Sequence, residues 1–241
     1  MVHHSRVSSD ISLGSDDCKR PCLLYAGKGP TGEEYRKACV LQGEEMKRIG
    51  IDLDGVVADF IGAFHKTAQI VFPGLEWDLS KWSTWYAPTE IFGMSKEDED
   101  AVWGEIRRTH DFWLSLQPLK GTSGLRYISP NAQEIFFITS RIPTVGASIQ
   151  QQSCEFLREH FYISFPQVIV VEEPSAKIPL VKNLGLHAFI DDKDSTVKQM
   201  ANAGINVYVN NQPWNQGELP GRRAVDLNDF LDKEGILNGG R

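Results

Sequence analysis

The sequence predicts an α/β protein: a doubly wound parallel sheet with a small helical cap inserted after its first strand. Two observations carry this. From Lys47 onward, short apolar runs alternate with stretches of helical spacing, the rhythm of units whose crossovers return each strand parallel to the last. After the first apolar run that rhythm breaks over 61–117, then resumes.

The elements follow in order. Residues 1–45 are rich in Ser, Gly, Asp and Lys without a sustained period of 2 or 3.6, so we expect a disordered extension or a translated upstream region. The competing view, a folded N-terminal module, has too few apolar residues to build a core. Gly43-Glu44-Glu45 can be encoded by a purine-rich run resembling a bacterial ribosome-binding site, which makes Met46 a candidate start. A chain beginning at Met46 is expected to be soluble and fully active. RIGIDLD reads as a buried strand and ADFIGAFHKTAQIVF as a helix. The aromatic segment LEWDLSKWSTWYAPTEIF follows, and Ser95 to Asp98 forms a capping box that opens a helix through about His110. Pro118 and Gly121 mark a junction. Beyond it EIFFIT, QVIVVEE, HAFIDD and INVYVN read as strands, separated by helices near 144–161, 176–184 and 194–203. The expected division is a core of 46–60 with 118–235 and a cap of 61–117.

Composition narrows the function. A chain of 241 residues holds one such domain with an insertion, and its hydrophobic and charged fractions, 41% and 24%, are ordinary for a soluble protein. With a net charge of −7 and no Lys/Arg-rich block, a surface for duplex nucleic acid is not expected, because that affinity is built on phosphate neutralisation. No apolar stretch approaches the roughly 18 residues of a membrane span, and the N-terminus lacks a signal-peptide pattern. Cys18, Cys22, Cys39 and Cys154 make no disulfide framework, and no second pair completes a zinc site with Cys18 and Cys22. Reduced thiols in a cytoplasmic protein are expected.

Asp52 and Asp54 stand two apart at the end of the first strand, so their side chains point the same way. They converge where open α/β sheets place their ligands, and Gly55 allows the tight turn there. Two carboxylates held together repel unless a cation or a shared proton relieves them. In isolation such a pair is more often a loop cap or surface charge; three further strand ends add to it. EIFFITSR closes on Thr139 and Ser140, hydroxyl donors suited to a phosphate oxygen and equally suited to capping the next helix. SAKIPLVKNLGLHAFIDD supplies Lys177 at a helix start and a second acidic pair, Asp191 and Asp192. Carboxylates, oxygen-only ligands and a lysine favour Mg²⁺ with a phosphate over zinc or a transition metal.

DLDGVVAD, FFITS, a lysine and FIDD, in that order over about 46–212, resemble the four motifs of the haloacid dehalogenase-like hydrolases. Within that superfamily the chain is most similar to the 5′(3′)-deoxyribonucleotidase-like group, through DLDGVVADF at 52–60 and FWLSLQPLKG at 112–121. It departs at Arg141, where the vertebrate-type enzymes would have Pro; this bears on substrate range. The resemblance implies a Rossmann-type core and a set of roles. Asp52 would be the nucleophile, forming an aspartyl-phosphate. Asp54 would protonate the leaving alkoxide and then deprotonate the hydrolytic water. Mg²⁺ would be held by Asp52, the backbone carbonyl of Asp54, and Asp191 or Asp192. Thr139, Ser140 and Lys177 would bind the phosphoryl group. Lys182 competes for the lysine role, but Lys177 has the spacing of the motif. Asp59 is read as ordering the turn or capping the next helix.

The cap is aromatic: Trp77, Trp82, Trp85, Trp103 and Trp113 with Tyr86 and Phe112. Such rings stack on a nucleobase or simply build the core of a small cap. Phe60 matches a family position that faces the base, and Trp113 is a second candidate contact. The leading expectation is a Mg²⁺-dependent enzyme for (deoxy)nucleoside monophosphates. The alternatives are a phosphatase for another small phosphomonoester, such as a sugar phosphate, and a non-catalytic phosphate-binding domain. A dehalogenase would usually lack Asp54. A homodimer is left open.

Overall fold

The parallel sheet exists because its strands are apolar on both faces, the signature of strands covered by helices on either side. The computed structural model describes residues 47–128 and 133–237. The expected extension over 1–45, the candidate start at Met46, and Cys18, Cys22 and Cys39 lie outside the described residues. Six strands pair in the order β3-β2-β1-β4-β5-β6: β1 (Lys47–Ile51), β2 (Gln133–Thr139), β3 (Gln167–Val170), β4 (Ala188–Asp191), β5 (Val207–Asn210) and β6 (Arg222–Ala224). Every pairing is parallel, with Ile51 opposite Phe137 on one side and Ile190 on the other. The strand order reverses between β1 and β4, so a crevice opens at their carboxyl ends.

Alternation along the strands builds two cores. Ile49, Ile51, Phe137, Ile190 and Tyr208 face one side. Helices α4 (Ile149–Phe161) and α7 (Leu227–Lys233) cover them through Phe156 and Phe230. Phe136, Ile138, Phe189 and Val209 face the other, under α5 (Lys177–Asn183) and α6 (Asp194–Asn202). Gly50 is the one β1 position pointing to this second side where nothing larger fits, since a Cβ there would run into the Phe189 ring. Among the described residues no helix is long and apolar enough to cross a membrane.

Between β1 and β2 lie α1 (Phe60–Val71), α2 (Ala87–Glu90) and α3 (Lys96–Arg108). Asp59 caps α1, its Oδ1 accepting the Gly62 N–H at 2.9 Å. Ser95 caps α3, accepting the Asp98 N–H at 3.1 Å, with acids in the first turn and arginines in the last, as the helix dipole prefers. Buried Phe64, Ala68, Val102, Ile106 and Trp82 join these helices to the first core.

Two details differ from the sequence-based expectation. The helix expected from 144 starts at Ile149, because its N-cap is Ser148 and Pro143 and Gly146 keep the preceding stretch a loop. And β6 was not anticipated: three residues, RRA, carry no readable period, and the pairing to β5 alone makes them a strand.

Candidate active site

The backbone ladder of β1 continues one step past Ile51, with the Asp52 N–H donating to the Ile190 carbonyl at 3.0 Å. This fixes Asp52 at the crevice floor. The chain then turns at Gly55, whose φ of +76° suits glycine and whose Cβ would collide with the Asp192 carboxylate. Asn210 and Gln212 both donate to the Gly55 carbonyl at 2.7 Å, so the end of β5 holds the turn in place.

Asp52, Asp54, Thr139, Ser140, Lys177, Asp191, Phe60 and Trp113, all singled out in the sequence, line one cavity of about 210 Å³. Lys177 is buried, with Nζ 2.9 Å from Asp52 Oδ1 and 2.8 Å from Asp191 Oδ2. Lys182, its rival, is exposed in the last turn of the same helix. Asp192 is buried behind the cavity rather than lining it; its Oδ2 accepts the Trp214 indole N–H at 2.9 Å, and its Oδ1 has no partner. Thr139 Oγ1 stands 3.4 Å from Asp54 Oδ2, and Ser140 is half-buried beside it.

Electrostatics in this pocket are unbalanced. Oxygen atoms of Asp52, Asp191 and Asp192 gather within 4.8 Å of one another, all on buried residues. Burial pushes the Asp52 carboxyl up to about 7; Lys177 opposes this, while Asp191 and Asp54 add to it. Asp192 is raised well above the usual carboxylate range, by burial first and then by Asp191 and Asp52. Burial alone would lower the Lys177 ammonium, but Asp191 and Asp52 outweigh it and hold it above the ordinary lysine range. Three carboxylates against one ammonium call either for a cation or for protons held on the buried acids.

Above the floor the wall is aromatic. Phe60 lies between Trp103 and Trp113, ring centroids at 5.5 and 5.9 Å and both pairs near parallel. Trp82, Trp85 and Tyr86 continue the lining, with Glu99, Lys193 and Thr196 as further polar members. Trp113 is itself almost fully buried, its indole N–H donating to the Ile142 carbonyl at 2.8 Å, so at most one edge meets the cavity.

Sequence reasoning missed Arg141 as a site residue, noting it only as a departure from a family pattern. Its Nε and Nη2 each donate to an Asp54 oxygen at 2.8 Å, a bidentate pair. Trp214 and Asn215, which hold Asp192 through its side chain and backbone carbonyl, were missed as well. A polar loop after a strand carries no signal of what it will touch.

Known proteins share the family and the fold. The family model described as "5' nucleotidase, deoxy (Pyrimidine), cytosolic type C protein" matches residues 46–226. A Bacillus cereus protein named "Putative nucleotidase" is 22% identical over 191 residues, covering 78% of this chain and 99% of its own. Among solved structures, a HAD-hydrolase from Bacillus subtilis bound to magnesium superposes with a TM-score of 0.53 at 15% identity, covering 80% of this chain and 100% of its own. A Lactobacillus plantarum protein titled a "putative phosphoglycolate phosphatase" gives 0.51 at 14%, covering 78% and 98%. At such identities the structural likeness establishes the fold. With the family model spanning most of the chain, this protein belongs to the cytosolic type C 5′ nucleotidase (deoxy, pyrimidine) family.

Proposed function

We propose that the chain is a Mg²⁺-dependent phosphomonoesterase for (deoxy)nucleoside monophosphates, working through an aspartyl-phosphate on Asp52. The observation that carries this reading is the shared cavity: buried Asp52, Lys177 and Asp191 at one end, an aromatic wall with Phe60 at the other. A phosphate and a planar base are the two ends of such a substrate.

The residues suit a divalent cation. The donor set is oxygen only, three buried carboxylates gather in it, and Asp192 Oδ1 has no partner. Asp52, Asp191 and the Asp54 backbone carbonyl would hold Mg²⁺, with Asp192 behind them. When bound, the ion shields the nucleophile from the phosphate dianion and stabilises charge on the transferring group. An Asp52 oxygen forms a bond to phosphorus while the bond to the leaving oxygen breaks and its electron pair stays on that oxygen. Asp54 gives its proton to that oxygen, then takes one from the water that attacks phosphorus, restoring Asp52 and releasing orthophosphate. Thr139, Ser140 and Lys177 donate to the phosphoryl oxygens.

A panel of nucleoside monophosphates and sugar phosphates, assayed with Mg²⁺ and with EDTA, tests the reading. Nucleotides should lead the panel and EDTA should silence it. Preference for sugar phosphates would overturn the substrate class, and undiminished turnover in EDTA the cation.

Phe60→Ala probes the wall. It should lower kcat/KM for a nucleotide by about 1–3 kcal/mol, roughly 5- to 150-fold, and hardly change it for glycerol phosphate. Equal losses on both would mean that Phe60 only packs between its tryptophans.

The cation also predicts a pH dependence. Asp52 sits at about 7 in the folded, cation-free chain against an ordinary 3.8. Its folded form therefore binds a proton that the unfolded chain has released, so the stability it contributes is full below about 3.8 and lost as pH rises towards 7. Mg²⁺ replaces that proton. Saturating Mg²⁺ should raise Tm by roughly 5–10 °C at pH 8 and by much less at pH 5. An equal rise at both values in thermal melts would show that the ion does not compete for these carboxylates.

A further inference from the structure

Arg141 lies behind this pocket, bound to Asp54, and the reaction scheme gives it no part. It stands just after Thr139 and Ser140, and its side chain has no exposed surface. All three nitrogens of the guanidinium donate a hydrogen bond. Nε and Nη2 grip both oxygens of Asp54 at 2.8 Å, and Nη1 donates to Ser153 Oγ at 2.8 Å. The indole of Trp113 lies against it, 4.7 Å from Cζ to the ring centroid. Ser153 is itself fixed, its hydroxyl donating to the Ile149 carbonyl at 2.7 Å within α4. Asp54 is thereby tied through Arg141 to the first turns of a core helix. Asp54 lines the cavity and Arg141 does not, so the guanidinium reaches the site through that carboxylate.

We propose that Arg141 is a positioning residue that fixes the Asp54 carboxyl for proton transfer to the leaving oxygen. This rests on the reading of Asp54 as the proton donor given above. An aspartate on a turn has two free torsions, and a bidentate, buried arginine removes both at once. When Asp54 carries the proton, one oxygen holds it towards the leaving group and the other still accepts from Arg141. Lysine, a single point donor, cannot reproduce the two-pronged grip.

The consequence is selectivity between leaving groups. A nucleoside leaves as an alkoxide that needs the proton; 4-nitrophenolate leaves without it. Arg141→Lys should lower kcat/KM, which reads the steps through leaving-group departure, about 100-fold or more for a nucleoside 5′-monophosphate. The loss on 4-nitrophenyl phosphate should stay below about tenfold. Placed on top of Asp54→Asn, it should cost less than about twofold on either ester, because its only route to the reaction is gone. Ser153→Ala, which leaves both Asp54 contacts in place, should show the same selectivity in weaker form and serves if Arg141→Lys does not fold. Equal losses on the two esters, or an undiminished further loss in the Asp54→Asn chain, would overturn the positioning role. Absence of turnover of both esters by the unaltered chain with Mg²⁺ would overturn the phosphomonoesterase reading itself, and is seen before any variant is made.

Discussion

Asp52→Asn is expected to abolish turnover, by at least about 10⁴-fold, while leaving the fold intact. The amide has the volume of the carboxylate and cannot form the acyl-phosphate bond. Structure should survive for two local reasons. The Asp52 N–H keeps its bond to the Ile190 carbonyl, and Lys177 keeps Asp191 at 2.8 Å. The change also removes one of three crowded carboxylates, so the cation-free variant should melt at or above the temperature of the unaltered chain at pH 8. Orthophosphate release measures the first claim. Acid-quenching during turnover measures its cause: the unaltered chain should retain one covalent phosphate and the variant none. Near-normal hydrolysis by purified Asp52→Asn would sink the covalent mechanism.

The same pocket shows which parts of a site a sequence can disclose. Asp52 and Asp54 were legible because a strand's period of 2 forces i and i+2 to one side, whatever the rest of the fold does. Lys177 stood out through the spacing of its motif, and it is the buried one of the two lysines, Lys182 being exposed. The period also bears on the second acidic pair: neighbours at a strand end face opposite sides, so one of Asp191 and Asp192 had to turn away from the cavity. It is Asp192, which meets Trp214 and the Gly55 turn. Arg141 was not legible as a site residue. Its partner lies 87 positions away in sequence, and only the parallel pairing of β1 with β2 brings the two strand ends together. The aromatic wall was half legible. Composition showed a surplus of rings in 61–117, but which face a ligand and which pack depends on side-chain directions that three short helices set among themselves.

Lys177→Met should separate charge balance from catalysis. The ammonium is nearly inaccessible and its two carboxylate partners are buried with it, so its removal leaves anions without a partner in a poorly hydrated place. Breaking a buried pair in this way costs about 3–5 kcal/mol, which for a domain of this size lowers Tm by roughly 6–20 °C. Methionine keeps an unbranched apolar stem and loses only the terminal ammonium, so packing against Phe189, whose ring the ammonium now approaches at 5.7 Å, should change little. Mg²⁺ should return most of the lost stability at pH 8, because Asp52 and Asp191 would hold it and its charge would offset theirs. Activity should not return with it. The phosphoryl oxygens would still lack their buried cationic donor, a loss of about 10²–10³-fold in kcat. Thermal melts and initial rates at matched Mg²⁺ concentrations read the two effects separately. Recovery of both together would reduce Lys177 to a counter-ion, and recovery of neither would place the cation elsewhere than among these carboxylates.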